Sequence, residues 1–191
     1  MSIYLFLLIV IPAAWIAIEI GLVLRDKQRG KGKTDRDRGT RFLNFGAITA
    51  GILAAALLNG VGGFVFPGGK TPAVFFAGIA LLLIGMAVRY WAVIVLGAAF
   101  RTTIETERDQ KVVRRGPYRL IRHPAYAGWL LICLGYGIAV QNWLSVLAAF
   151  LLPLAALVYR IQAEERELVA ALGPDYLAYQ KRTKRLVPWI W

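Results

Sequence analysis

The sequence predicts an all-α, polytopic membrane protein with five transmembrane helices. Hydrophobic residues make up 58% of the chain and charged residues only 18%, which is too apolar for an ordinary soluble domain. The charges are also segregated. Residues 42–69 carry none, residues 71–100 carry Arg89 alone, and residues 123–159 contain His123 as their one basic or acidic side chain. Runs of this length are typical of membrane-spanning helices.

The run 123–159 is too long for a single crossing, so we divide it at the polar pair Gln141-Asn142 into a hairpin of two short helices. Glu19 is the one charge within the first predicted span. It is expected at the interface or packed in the bundle, or else paired with a partner such as Arg89. Arg89 in turn could meet a carboxylate ligand or a structural acid. The five predicted spans cover roughly 2–24, 42–60, 72–98, 124–140 and 143–160.

Basic side chains concentrate in three segments and predict the orientation. Residues 25–41 carry eight against three Asp, residues 101–122 carry seven against three acids, and residues 160–191 carry six against four. The opposite connectors, 60–71 and 141–142, share one Lys. The positive-inside rule therefore predicts an outside N-terminus and a cytoplasmic C-terminus. Topology and the anionic lipids of the inner leaflet then explain the net charge of +12 better than nucleic acid does.

Cysteine and histidine usage excludes two classes of site. The chain has one Cys, Cys133, in an apolar run, and one His, His123. An internal disulfide is impossible, and a structural zinc site lacks ligands. We therefore predict no metal.

The segment 116–128 is the most unusual in the chain. Two prolines and two glycines in thirteen residues argue against one smooth helix and predict a bent start to the fourth span. Arg119, Arg122 and His123 are expected at the boundary between water and lipid. The alternative is a plain anchor whose arginines reach the phosphates.

The fifth helix is expected to continue beyond the membrane until Gly173-Pro174 ends it. Arg160 and Glu164 are four residues apart and share a helix face. Because the two hairpin helices have similar lengths, the chain should return Arg160 to the level of His123 and Tyr126. This predicts one polar pocket. The alternative is a surface ion pair between Arg160 and Glu164 that contributes little.

A spaced pattern extends over about residues 98–188, and the first two spans carry no motif. The pattern consists of Lys111-Val112-Val113-x-x-Gly116-x-Tyr118, Arg122-His123-Pro124-x-Tyr126-x-Gly128, Glu164-Glu165-x-x-Leu168 and Gly173-x-x-Tyr176-x-x-Tyr179. It resembles the isoprenylcysteine carboxyl methyltransferase family and, more loosely, the membrane methyltransferases that include phospholipid N-methyltransferases.

Since the sequence shows no internal repeat and no second domain, we interpret 1–191 as one domain, with N-terminal spans in 1–97 and a catalytic, cofactor-binding region in 98–191. The resemblance implies S-adenosylmethionine held at the cytoplasmic end of the last two spans. Arg160 and Glu164 would be catalytic, and Arg160 would hold the substrate carboxylate. Arg89 is a second substrate-binding candidate because it lies inside a span, not because of the resemblance. The implied cofactor contacts are Glu105, Gln110, Lys111, Val112, Val113, Tyr118, His123, Pro124, Ala125, Tyr126 and Glu164.

The expected reaction is methylation of an isoprenylcysteine carboxylate, with the lipid chain entering from the bilayer. A carboxylate is already ionised, so the enzyme mainly aligns the partners and excludes water. A phospholipid amine or small thiol would instead need Glu164, Glu165 or His123 as a base; Glu165 otherwise has a secondary role. An NADPH-dependent membrane reductase and a non-enzymatic scaffold are the remaining alternatives.

Overall fold

The computed structural model describes residues 2–28, 39–102, 111–188 and 190–191. Within that part of the chain all regular secondary structure is helical. Short 3-10 turns occur at Gly97–Ala99 and Gly116–Arg119. The α-helices are α1 Ile3–Gln28, α2 Thr40–Leu58, α3 Pro72–Leu96, α4 Pro124–Val140, α5 Trp143–Leu172 and α6 Pro174–Arg182.

Four of these helices, α1, α2, α3 and α5, are long and apolar enough to cross a membrane. The helix α4 is apolar too but has only 17 residues. The predicted helical, multi-pass membrane protein is therefore confirmed, whereas the count of five spans stays a prediction. The charge-free runs also predicted the helix positions well, because α4 covers the predicted 124–140 and α5 begins at the predicted residue 143.

Glycines bring α3 and α4 into backbone contact along an antiparallel seam. A Cβ atom added to Gly135 would lie 2.4 Å from the Leu82 nitrogen, and one added to Gly85 would lie 2.7 Å from the Ile132 nitrogen. No side chain fits at such positions, which is typical of close helix pairs in membranes. The seam sets the start of α4 beside the last turns of α3. Its other members are Gly78 and Gly128.

The turn between α4 and α5 confirms the predicted hairpin. Gln141 has the left-handed φ of 61°, and the Asn142 side-chain oxygen caps α5 by accepting the Leu144 N–H at 2.9 Å. The connector between α2 and α3 covers this polar turn. Asn142 donates to the Val61 carbonyl at 3.1 Å, and the Thr71 N–H donates to Gln141 Oε1 at 2.7 Å.

At the other end of the bundle, α5 runs on to Leu172 and stops at Gly173, whose φ is 54°. The predicted Gly-Pro stop is thus confirmed. The short α6 then folds back, and its Tyr179 hydroxyl donates to the Tyr118 carbonyl at 2.6 Å. Burial raises the pKa of Tyr179 to about 12, so this donor stays protonated at neutral pH.

The C-terminal segment pairs with the corner that precedes α4. The Arg122 N–H donates to the Lys184 carbonyl at 2.7 Å, and the His123 N–H donates to the Arg185 carbonyl at 3.0 Å. Leu186 is buried in the main apolar core. The bent start of α4, which the prolines and glycines predicted, is therefore fixed by backbone contacts from far along the chain.

Candidate active site

A cavity opens at the end of the bundle where α2 and α4 begin and α3 ends. It holds about 1120 Å³ of unfilled space, counted out to its open mouth. The second half of α5 and the helix α6 complete the wall. The predicted site residues that border the cavity are Arg89, Lys111, Val112, Val113, Tyr118, His123, Ala125, Tyr126, Arg160 and Glu164.

Tyr126 lies at the centre of the polar wall. Its hydroxyl donates to Glu164 Oε2 at 2.5 Å and accepts from Arg160 Nε at 2.8 Å. One phenol therefore links the carboxylate and the guanidinium that the sequence places four residues apart on α5. The predicted convergence of the two hairpin helices is found, and the surface ion pair is excluded because Arg160 is buried.

Arg160 is held from two further sides. Its Nη1 donates to Thr40 Oγ1 at 2.9 Å, and its Nη2 donates to the Thr102 carbonyl at 2.8 Å. Thr102 is itself fixed, because its N–H donates to Asp26 Oδ2 at 2.8 Å. Helices α1 and α2 thus help to orient a guanidinium that belongs to α5.

His123 stacks on Tyr126, with ring centroids 5.5 Å apart and an angle of 8° between the planes. Its Nε2 lies 3.3 Å from Glu165 Oε1, and Glu165 also accepts from Arg122 Nε at 2.7 Å and Arg185 Nε at 2.9 Å. Glu165 therefore binds together the corner before α4 and the C-terminal segment. Glu165 thus has a more important structural role than the secondary role that the sequence suggested.

Glu19 and Arg89 form a buried ion pair between α1 and α3. Arg89 Nε and Nη2 donate to the two Glu19 oxygens at 2.5 and 2.6 Å, and both residues are 2% exposed. The Trp129 ring lies 4.0 Å from the guanidinium. The sequence left open whether Glu19 lies at the interface, packs in the bundle or pairs with Arg89, and the structure shows the pair with Arg89. Arg89 still borders the cavity and donates to the Ala125 carbonyl at 3.4 Å, so its substrate-binding role stays a prediction.

The remaining predicted cofactor contacts are Pro124, Gln110 and Glu105. Pro124 occupies the first turn of α4, where its fixed φ suits a helix start, and is buried. Gln110 and Glu105 fall outside the described residues, so their predicted contacts with a cofactor stay predictions.

Sequence reasoning missed the polar face of α2. Thr40 and Asn44 are 1% exposed, and Asn44 borders the cavity. A signal existed, since the two are four residues apart and share a face of a largely apolar helix. The same holds for Asp26, which lies seven residues after Glu19 on the same face of α1. From the sequence alone, a polar side chain near the end of a span is interpreted as a residue at the membrane boundary.

The lining suits a ligand that joins cationic, polar and aromatic parts. Glu164 supplies a carboxylate beside the ring of Tyr126. Tyr118 and Tyr176 border the same cavity, and burial raises the pKa of both hydroxyls, so both remain neutral. Val113 adds an apolar surface for a flat ring. S-adenosylmethionine, with its sulfonium, ammonium and adenine, fits this set of groups.

The fold and the cavity together define an integral membrane protein with a buried polar site at one end of its helices. Residues 78–170 match the model of the "Isoprenylcysteine carboxyl methyltransferase (ICMT) family", which confirms the resemblance. The chain is similar to "Protein-S-isoprenylcysteine O-methyltransferase B" of Arabidopsis thaliana, at 30% identity over 59% of this chain and 58% of that protein. It is also similar to the protein-S-isoprenylcysteine O-methyltransferase of Schizosaccharomyces pombe, at 28% identity over 93% and 68%.

A solved structure shares the fold. The "eukaryotic intramembrane Ras methyltransferase ICMT" superposes with a TM-score of 0.64 at 25% identity, covering 76% of this chain and 52% of that one. The chain spans about three fifths of the length of the plant relatives that it matches.

Proposed function

We propose that the protein transfers a methyl group from S-adenosylmethionine to the carboxylate of an isoprenylated cysteine. The observation that carries the proposal is one partly buried phenol, that of Tyr126, which contacts both Arg160 and Glu164 inside one cavity. The methyltransferases named above act on isoprenylcysteine, which supports this choice of acceptor.

The donor supplies a methyl group on a sulfonium when it is bound. Glu164 is the carboxylate available to its cationic part, and the Tyr126 hydroxyl restrains Glu164 at 2.5 Å. Tyr118, Val112 and Val113 would contact the adenine, beside the stacked rings of His123 and Tyr126. These residues bind and orient the donor and need not move a proton.

Arg160 orients the acceptor. A guanidinium is a planar fork that matches a carboxylate and stays charged, so it can align the nucleophile without taking part in proton transfer. Its own orientation is fixed by Tyr126, Thr40 and Thr102. Alignment of this kind supplies much of the barrier lowering available to an in-line transfer.

The acceptor's lipid chain enters from the bilayer. Phe45 of α2 and Trp129 of α4, whose ring centroids are 5.9 Å apart, give the cavity an apolar side that suits this lipid chain. The basic segments 25–41 and 101–122 orient this end of the bundle toward the cytoplasm. The helix α4 is then a fifth, short crossing of roughly 26 Å.

The test uses the full chain in lipid nanodiscs, with methyl-tritiated S-adenosylmethionine and two acceptors. We expect label in N-acetyl-S-farnesylcysteine and none in its C-terminal amide, because only the first has a carboxylate. Calorimetry should detect binding of S-adenosylhomocysteine and not of NADPH. Labelling of the amide, or binding of NADPH alone, would contradict the proposal.

A further inference from the structure

Asn44 is a buried amide to which the described part of the chain offers no hydrogen-bond partner. Its side chain is 1% exposed and borders the cavity, and neither Oδ1 nor Nδ2 has a partner among the described residues. Leaving a buried amide unpaired is costly, and the few such groups in native proteins call for an explanation. The explanation we favour is a ligand that supplies both a donor and an acceptor.

The position of Asn44 relates it to Arg160. Asn44 lies one helical turn further along α2 than Thr40, whose Oγ1 accepts from Arg160 at 2.9 Å. Within the residues that the structure describes, the buried Thr102 Oγ1 has no partner either, and Thr102 is the residue whose carbonyl accepts from Arg160 at 2.8 Å. Of these two polar groups, one belongs to a residue that contacts the guanidinium proposed to hold the acceptor carboxylate, and the other lies one helical turn from a second such residue.

We propose that Asn44 binds the amide group next to that carboxylate, and so favours an N-acylated terminal cysteine over a simple thioether acid. This inference rests on the proposed function. A carboxamide side chain is both donor and acceptor, and its natural complement is another amide. In an N-acylated amino acid the amide nitrogen and the carboxylate are bonded to the same α-carbon. A carboxylate bound at Arg160 therefore keeps the amide within about one helical turn of the guanidinium, and one helical turn is also the spacing between Thr40 and Asn44.

The test compares two acceptors that differ in the amide alone. N-acetyl-S-farnesylcysteine carries it, and S-farnesyl-3-mercaptopropionate keeps the carboxylate and the lipid chain without it. We expect the wild-type kcat/KM to favour the first acceptor by about tenfold, since a site built to hydrogen-bond a polar group rejects the analogue that lacks it. In Asn44→Leu, of similar size, the preference should fall to about one through loss on the first acceptor.

Thermal stability separates binding from a structural role. Asn44→Leu replaces an unpaired amide by an apolar group, so the melting temperature without acceptor should rise or stay constant. A structural Asn44 would lower it. The matched control is Ser145→Ala, at the start of α5 and away from the cavity. It removes a buried hydrogen bond of 2.7 Å from the Ser145 hydroxyl to the Ala55 carbonyl of α2. This control should keep the wild-type preference between acceptors.

Two results would overturn the inference while leaving the proposed function intact. One is an active wild type without preference between the acceptors. The other is an Asn44→Leu variant with the wild-type preference, as expected if the amide binds water only. A wild type that binds S-adenosylhomocysteine but methylates neither acceptor would instead contradict the proposed function, and this inference with it.

Discussion

The two N-terminal helices and the motif-bearing part of the chain contribute to the cavity in different ways. Residues 111–185 supply the groups that carry the sequence pattern, with Tyr126 and Glu164 at the centre. Helices α1 and α2 carry no motif and lie outside the matched region 78–170. Yet α1 supplies Asp26, which holds Arg160 through Thr102, and α2 supplies Thr40, which contacts Arg160 directly. A recognisable motif can therefore owe its geometry to residues that have no recognisable pattern.

The buried carboxylates of Glu19 and Glu165 differ in the same way, one in the N-terminal helices and one in the motif-bearing part of the chain. Glu19 links α1 to α3 within the bundle through one arginine, with Trp15 and Trp129 as additional donors at 3.2 and 3.4 Å. Glu165 links the Arg-His corner to the C-terminal segment through three basic side chains. The first carboxylate fixes helices, and the second fixes the irregular chain around the cavity.

The largest expected effect is on the deeper pair. Glu19→Leu leaves Arg89 charged and unpaired inside the bundle, which should cost about 3–5 kcal/mol of the free energy of unfolding. The measurement is a denaturation curve in detergent. The lipid-facing neighbour Ile18, 44% exposed, provides the control, since Ile18→Ala should change the free energy by about 0.5 kcal/mol or less.

The double variant Glu19→Leu/Arg89→Met sharpens this result. Removing both charges should restore most of the lost stability, because a buried ion pair contributes little net free energy against apolar residues of similar volume. If the double variant is as unstable as the single one, the pair is not what α1 provides.

Glu165→Gln comes next. It weakens the contacts to Arg122 and Arg185, and we expect a loss of about 2 kcal/mol, reduced because Arg185 is 32% exposed. The affinity for S-adenosylhomocysteine should fall as well, because His123 loses its anchor. Thermal unfolding and calorimetry measure the two effects. Glu167→Gln, two residues on, should change neither, and equal losses in both variants would show that Glu165 has no special part.

Thr40→Val tests the contact from α2. It keeps the shape and removes the oxygen that accepts from Arg160, so kcat/KM for the carboxylate acceptor should fall by about tenfold. The affinity for S-adenosylhomocysteine should change little. Thr40→Ser, which keeps the hydroxyl, should recover most of the activity. Failure of the serine to rescue would mean that the methyl group, not the hydroxyl, is what matters.

The smallest effect is expected for Asp26→Asn. Asp26 acts on Arg160 only through Thr102, so the change passes through one more contact, and we expect a loss of roughly threefold in kcat/KM. Steady-state kinetics beside the Thr40 variants would measure it. A loss larger than that of Thr40→Val would reverse the order of the two contacts.

The sequence predicts the helices well because lipid imposes a strong requirement. Charge-free runs, the polar turn at Gln141-Asn142 and the stop at Gly173-Pro174 are local signals, and each has its counterpart in the structure. The pocket was also predictable, since equal helix lengths return Arg160 to the level of Tyr126.

Long-range contacts were not predictable in the same way. Nothing near Arg122 or Lys184 indicates that their backbones pair, because the partner segment is irregular and 62 residues away. Thr40 and Asp26 look like ordinary boundary residues until the bundle places them beside the cavity. The sequence left the pairing of Glu19 with Arg89 undecided for the same reason, since only packing decides which acid an intramembrane arginine contacts.

The most direct test of the account separates the roles of the two α5 residues. Calorimetry with S-adenosylhomocysteine and methyl-transfer assays would be run together on Arg160→Ala and Glu164→Ala. We predict that Arg160→Ala abolishes methylation of the carboxylate while the S-adenosylhomocysteine affinity changes little, and that Glu164→Ala weakens that affinity. Full activity of Arg160→Ala on the carboxylate acceptor would contradict the central claim.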